Sequence, residues 1–220
     1  FNFPYLYSSP EVVHAIIDGP VGDRIRQDCI DDIGIRVLAF TELGYRHVTN
    51  SKHPIKTPDD MKGLKIRTMN DPYQIAAMEA LGAAVTPMSY SEVFTSLQTK
   101  VIDGQENPLS AMVTGKFEEV QKYVTMWNYS YDIFVLNASG KVWDSLSDED
   151  KAIFDECGKE ACAAEVVASR EADDGFRKTV EDAGVQITNL TAEQQAAFKE
   201  ACAPVYEKYK DVIGEDVYAA

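Results

Sequence analysis

The chain has 220 residues, 21 basic and 36 acidic, for a formal net charge of −15. That excess leaves little cationic surface to neutralise phosphates, which argues against a nucleic-acid partner, and it repels anions at long range, so any anion site must be built locally from a few arginines. No apolar run reaches the length of a membrane span, and the length suffices for one large or two small domains with a substantial core.

In chain order, Phe1 to Tyr7 is an aromatic-rich strand or loop. Ser9-Pro10-Glu11 starts a helix with Val12, Val13 and Ile16 as its apolar side. Asp18-Gly19-Pro20 breaks it, and a second helix runs to about Asp32 with Val21, Ile25, Cys29 and Ile30 inward. Ile35 to Phe40 is a continuous apolar strand of the kind covered on both faces. Leu43 to Asn50 leads away from it, and Lys56 to Lys62 is a short turn or helix that begins at Thr57-Pro58.

The next stretch carries the most pattern. Leu64, Ile66 and Thr68 alternate with Lys65, Arg67 and Met69, the period of a strand with two different faces. Asn70 or Asp71 can cap a helix whose first turn holds Pro72, whose inner side is Ile75, Met78 and Leu81, and which ends at Gly82. Ala83 to Thr86 is a strand, Ser91 can cap a helix with Val93, Phe94 and Leu97 inward, and Val101 to Glu106 is a third short strand. Strand, helix, strand, helix, strand implies right-handed crossovers between parallel strands, with ligands taken up beyond their C-terminal ends. Arg67 stands near the end of the first of these strands and Asn107 just past the third. An arginine there offers a planar fork of donors for a carboxylate, and an asparagine can donate and accept at once. A solvated strand-end arginine and a turn asparagine account for the same letters.

Ser110 to Tyr123 reads as helix, Val124 to Trp127 and Tyr131 to Ala138 as strands, and Trp127, Tyr129 and Tyr131 as an aromatic cluster. Ser147 to Asp150 starts a helix that continues to 183, roughly 54 Å at about 1.5 Å per residue, longer than one small domain. Val185 to Thr188 is a further strand, and Thr191 to Gln194 is the capping box of the last helix.

Catalytic and metal motifs are missing from the sequence. His14, His47 and His53 have no partner at metal-ligand spacing, and no nucleophile elbow, Walker loop or dinucleotide fingerprint occurs, so no cofactor is implied. Asp103 and Glu106 could form an acid and base pair; alternatively they hydrogen-bond backbone groups and position Asn107. Cys29, Cys157, Cys162 and Cys202 contain no C-x2-C pair.

Three runs, Gly63-Leu64-Lys65-Ile66-Arg67, Ala83 to Val93 and Asp103-Gly104-Gln105-Glu106-Asn107-Pro108, resemble the extracytoplasmic solute-binding proteins of TRAP transporters, the tripartite ATP-independent periplasmic carriers. The resemblance extends from about Phe3 to Ala183. It implies an α/β fold of the periplasmic-binding-protein type, with two lobes, a hinge and a long lobe-spanning helix. The expected segments are 1–44 in lobe I, 45–132 in lobe II, 133–172 as the lobe I return with the long helix, and 173–220 as the lobe II return.

The resemblance further implies a periplasmic, non-enzymatic, monomeric receptor that captures a small organic acid in the inter-lobe cleft and delivers it to membrane permease subunits. Arg67 would clamp the carboxylate, Asn107 and Arg46 would complete the polar shell, and Tyr90 would cover the ligand. Trp127 or Tyr129 could form an aromatic wall, or serve equally as core or hinge packing. Family members carry further strand and helix units ahead of Phe1, so a chain with its signal peptide removed and its N-terminal part missing is expected. In an oxidising compartment Cys162 and Cys202 could form a disulfide, or be small buried apolar residues. A sensory domain of the same fold and an enzyme acting on an organic acid are the alternatives, and C4-dicarboxylates, sugar acids and related carboxylates all suit the arginine clamp.

Overall fold

A computed structural model of the chain describes residues 2–213. They fall into two compact units: one holds the described residues through Leu6, Tyr45–Ser130 and the described residues from Gly175 onward; the other holds Tyr7–Gly44 and Tyr131–Asp174. Phe1 and residues 214–220, parts of the expected segments 1–44 and 173–220, lie outside the described residues. The segment 1–44 needs one correction, because its described residues before Tyr7 belong with 45–130. Phe3 is buried there against the rings of Tyr73, Tyr206 and Tyr209, and the Tyr206 hydroxyl donates to the Pro4 carbonyl at 2.7 Å.

The smaller unit begins with α1 (Pro10–Ile17) and α2 (Pro20–Ile33). The Ser9 side chain accepts from the Val12 amide, and Pro10 fills a first-turn position where a missing N–H costs nothing. Val13 and Ile17 face inward, whereas Val12 and Val21, expected to do so, are exposed. Gly34 ends α2 in the left-handed region at φ 65°. Next, β1 (Ile35–Tyr45) runs five residues beyond Phe40 and is joined by β7 (Tyr131–Ser139) in a two-stranded sheet. Ile17, Val37 and Phe40 form the local core.

This unit also buries a carboxylate. Glu42 of β1 accepts from Tyr131 Oη at 2.5 Å, from Arg170 Nε and Nη2 at 2.6 and 2.9 Å, and lies 2.7 Å from His14 Nε2. Burial alone would raise its pKa; the hydrogen bonds from Arg170, Tyr131 and His14 outweigh it and pull the group from 4.5 to about 2.

The larger unit is built on a six-stranded sheet. Its strands are β2 (His47–Asn50), β3 (Lys65–Thr68), β4 (Ala84–Pro87), β5 (Gly104–Asn107), β6 (Tyr123–Met126) and β8 (Gln186–Asn189), in the order β4-β3-β5-β2-β6-β8. β3 pairs parallel with β4 and β5, as the strand-helix alternation predicts, and β6 pairs parallel with β8. β2 enters between β5 and β6 and is antiparallel to both. The crossovers are α3 (Pro72–Ala80), capped by Asp71, and α4 (Tyr90–Gln98). Ser89, not Ser91, caps α4, because Glu92 stands three residues after Ser89 and closes a capping box with it.

One core cluster packs Phe3, Ile66, Met78 and Leu81 with Trp127, Tyr129 and Phe198; a second packs Val93, Leu97, Phe117, Val124 and Val180. The expected helix from Ser110 to Tyr123 is shorter: α5 (Leu109–Thr114) stops at Gly115, and Lys116 turns the chain at φ 56° into a 3-10 turn (Phe117–Glu119). Beyond β7 come α6 (Gly140–Asp144) and α7 (Asp148–Asp182), which opens on Asp148, Glu149 and Asp150, where the helix dipole favours negative charge. The residues of α7 are shared between the units, through Asp174 in one and from Gly175 in the other. The final helix is α8 (Ala192–Ile213), where Thr191 and Gln194 exchange the capping-box hydrogen bonds. All four cysteines, Cys162 and Cys202 among them, are free thiols, and Cys202 packs in the core beside Phe198.

Candidate functional site

Because β3, β4 and β5 are parallel, their C-terminal ends lie along one edge of the sheet. Arg67 stands in register with Gln105, and Asn107, two residues on, projects to the same face of β5. The two side chains singled out from the sequence therefore share a face at one sheet edge. Asn107 is the last residue of β5 rather than the first beyond it.

Arg67 is 2% exposed. Its Nε and Nη2 both donate to the Met88 carbonyl, at 3.0 and 2.7 Å, just past the end of β4. Nη1 is buried and makes no hydrogen bond, and no carboxylate among the described residues forms an ion pair with this guanidinium. A lone carbonyl offers only a dipole to a full charge that has left water, so the cation is undercompensated. Burial lowers its pKa, Glu106 pulls it up, Arg46 pushes it down and Tyr90 pulls it up, which places these four groups in one electrostatic neighbourhood.

Arg46 is in the opposite situation. It is 1% exposed and meets Glu106, itself fully buried, through Nε to Oε2 at 2.5 Å and Nη2 to Oε1 at 2.9 Å. Nη2 also donates to the Glu106 carbonyl at 2.6 Å and to Asn107 Oδ1 at 3.1 Å. The bidentate fork neutralises Arg46 within the chain, and its contact with Asn107 is that of an orienting donor. Since guanidinium only donates, Asn107 must turn Oδ1 towards Arg46, and its Nδ2 then donates to Gln105 Oε1.

Tyr90 is 41% exposed at the start of α4; its hydroxyl donates to the Ala111 carbonyl at 2.5 Å and its ring tilts against Phe117. Burial raises the pKa of its phenol, against the pull of Arg67. Trp127 and Tyr129 are placed in the core, where Trp127 packs on Tyr129 and Phe198, and Tyr129 meets Tyr5 edge-on. Packing surrounds both rings, while Trp127 Nε1 is buried without a hydrogen-bond partner.

Asp103 and Glu106 do not stand together as an acid and base. Asp103 accepts from the Lys65 amide at 3.0 Å and pairs with Lys52 at 3.1 Å, at the beginning of β3, while Glu106 serves Arg46. Among the described residues no cluster of His, Cys, Asp and Glu could hold a metal ion. His47 is buried, and burial together with Arg177 holds its pKa down at about 3, so it stays neutral. Three polar residues escape the sequence reading. Gln105 was legible, since the two-residue period of β5 puts it on the face of Asn107. Thr68 and Gln74, buried with unpartnered side-chain atoms at the end of β3 and in the first turn of α3, carry no local signal that separates them from ordinary strand and helix residues.

The family model described as DctP, bacterial extracellular solute-binding protein, family 7, matches residues 1–211. The 2,3-diketo-L-gulonate-binding periplasmic protein YiaO of Escherichia coli (strain K12) is 35% identical over 216 residues, covering 98% of this chain and 64% of that protein. The sugar acid binding protein DctPAm of Advenella mimigardefordensis, solved in complex with galactonate, superposes with a TM-score of 0.94 at 35% identity, over 100% of this chain and 70% of that one. A TRAP periplasmic solute binding protein of Shewanella oneidensis with bound succinate gives a TM-score of 0.94 at 30% identity, over 100% and 72%. The chain spans 63%, 64% and 66% of the length of the first three curated relatives it matches.

Proposed function

Because this chain belongs to family 7 of the bacterial extracellular solute-binding proteins, we infer that it carries the anion-binding part of a periplasmic receptor which takes up a small organic acid and hands it to the membrane subunits of a TRAP transporter. The observation that carries this reading is Arg67: a buried guanidinium whose partners are one carbonyl, with Nη1 unused. A carboxylate supplies the missing negative charge and accepts from the fork in two charge-assisted bonds. Arg46 acts through Asn107, since Glu106 already balances its charge. Tyr90, half exposed beside this edge, covers the ligand with its ring.

The reading involves no reaction. The acid is held, carried and released, and the relatives matched are themselves named as binding proteins. Since the site offers one uncompensated cation, each ligand presents one carboxylate to Arg67, and the remainder of the molecule decides which acid is preferred. A thermal-shift panel of C4-dicarboxylates, aldonates and uronates tests this. At about 100 times its dissociation constant a true ligand adds about 2.7 kcal/mol of stability. Stabilisation by a carboxylic acid but not by its methyl ester or amide is expected; a panel in which no acid stabilises the protein, or in which esters do so equally, overturns the reading.

A further inference from the structure

The hydrogen bonds that fix Asn107 do not stop at Gln105. Asn107 Nδ2 donates to Gln105 Oε1. Gln105 Nε2 then donates to Thr49 Oγ1 at 3.1 Å, the Thr49 hydroxyl to Gln121 Oε1 at 2.8 Å, Gln121 Nε2 to Ser51 Oγ at 2.9 Å, and the Ser51 hydroxyl to the Val120 carbonyl at 3.1 Å. Thr49 and Gln105 face each other across the β2–β5 ladder, and Thr49, Gln105, Asn107 and Gln121 are all buried. The line therefore runs inside the sheet from the Arg46 end of β2 to the loop before β6.

The line has a single sense. Gln121 Nε2 also lies 3.2 Å from the Val120 carbonyl and 3.4 Å from the Asp103 carbonyl, so oxygens surround it and the amide has one acceptable orientation. Its Oε1 must then accept from Thr49, whose oxygen is left to accept from Gln105, whose Oε1 faces Asn107. Arg46, a pure donor, demands the same orientation of Asn107 from the other end. Both ends agree, so no amide in the line can flip without stranding a buried donor or acceptor. One hydrogen on Asn107 Nδ2 is engaged by Gln105, and the second remains to donate.

We propose that Thr49 and Gln121 are positioning residues for the ligand: through Gln105 they hold Asn107 as a donor towards the acid oxygens gathered by Arg67. The ligand half of this proposal rests on the organic-acid reading above; the alignment of Asn107 does not. In this role a hydroxyl at position 49 matters and its volume does not. Thr49→Val removes the hydroxyl at nearly constant shape, and Thr49→Ser restores it.

Two measurements decide the matter. The side-chain amide signals of Asn107 in ¹⁵N spectra, assigned by their loss in Asn107→Ala, move in Thr49→Val and in Gln121→Met and stay in place in Thr49→Ser. Calorimetry uses whichever of succinate, D-glucuronate and galactonate binds most tightly. There, affinity falls roughly three- to tenfold in Thr49→Val, recovers in Thr49→Ser, and shows no further loss when Thr49→Val is added to Asn107→Ala. If Thr49→Val does not fold, Gln121→Met supplies the same pair of readouts. Asn107 signals unmoved in the folded variant overturn the alignment, and an undiminished affinity loss in the Asn107→Ala background assigns Thr49 to packing and overturns the ligand role. Binding that survives Arg67→Ala unchanged refutes the organic-acid site itself, and with it the ligand half, while the spectra still decide the alignment.

Discussion

Each unit of this molecule buries a charge, and the two are treated in opposite ways. In the smaller unit Glu42 is surrounded by donors from Tyr131, Arg170 and His14. In the larger unit Arg67 receives one carbonyl and leaves Nη1 without a partner. Removing a charge from water costs several kcal/mol unless partners replace the hydration shell. Glu42 meets that condition within the chain and is structural. Arg67 does not, and on the function proposed above a ligand would complete it. Arg46 sharpens the contrast inside a single sheet, since it is as buried as Arg67 yet matched by Glu106.

The largest expected effect comes from unbalancing the matched pair. Glu106→Ala strands the buried Arg46 guanidinium and lowers stability by about 3 to 5 kcal/mol, measured by urea unfolding. Arg67→Met, equally buried, removes an uncompensated cation instead; the unliganded protein keeps its midpoint or gains. A loss on the scale of Glu106→Ala would mean that Arg67 is structural too.

Acid separates the two units. Folded His47 is neutral with its pKa held at about 3 against 6.5 unfolded, so the unfolded chain takes up the proton first, and stability declines as the pH falls from 6.5 towards 3. Glu42 is depressed from 4.5 to about 2, so its contribution is complete above 4.5 and disappears as the pH falls through about 2. Allowing for solvent screening at the half-exposed Arg170, that contribution is about 2 kcal/mol. His47→Phe should flatten the upper part of the acid profile and Glu42→Gln the lower part; unchanged profiles would show that neither group governs it.

The smallest effect concerns Tyr90. Tyr90→Phe keeps the ring and loses the bond to Ala111, so ligand affinity stays within about twofold, whereas Tyr90→Ala removes the ring proposed to cover the ligand and costs about 0.5 to 1.5 kcal/mol of binding. Equal affinities for Phe and Ala at position 90 would take Tyr90 out of the site.

The sequence made Arg67 and Asn107 legible because their positions follow from local periodicity. Alternation around Ile66, a capped helix, Gly82 and a second crossover place both at the same edge of a parallel sheet. The fate of Arg46 was not legible. Its partner is 60 residues away, across an antiparallel ladder whose register no local pattern states. Trp127 and Tyr129 stayed open between ligand wall and packing for a different reason: an aromatic residue beside a site and one in a core have the same letters, and the neighbours Tyr5 and Phe198 show the packing half of that pair. Phe3 entered the larger unit through contacts with Tyr206 and Tyr209, far along the chain. Ser89 could have been read correctly, since Glu92 completes its capping box while nothing comparable follows Ser91.

On the proposed function, an acid completes the buried Arg67 guanidinium. Calorimetric titration of Arg67→Ala with the best acid of the panel, beside the unsubstituted protein, tests it most directly. Loss of a desolvated charge partner predicts a fall of about 2 to 5 kcal/mol, roughly thirty- to several thousand-fold in affinity. A fall of less than about threefold would contradict it.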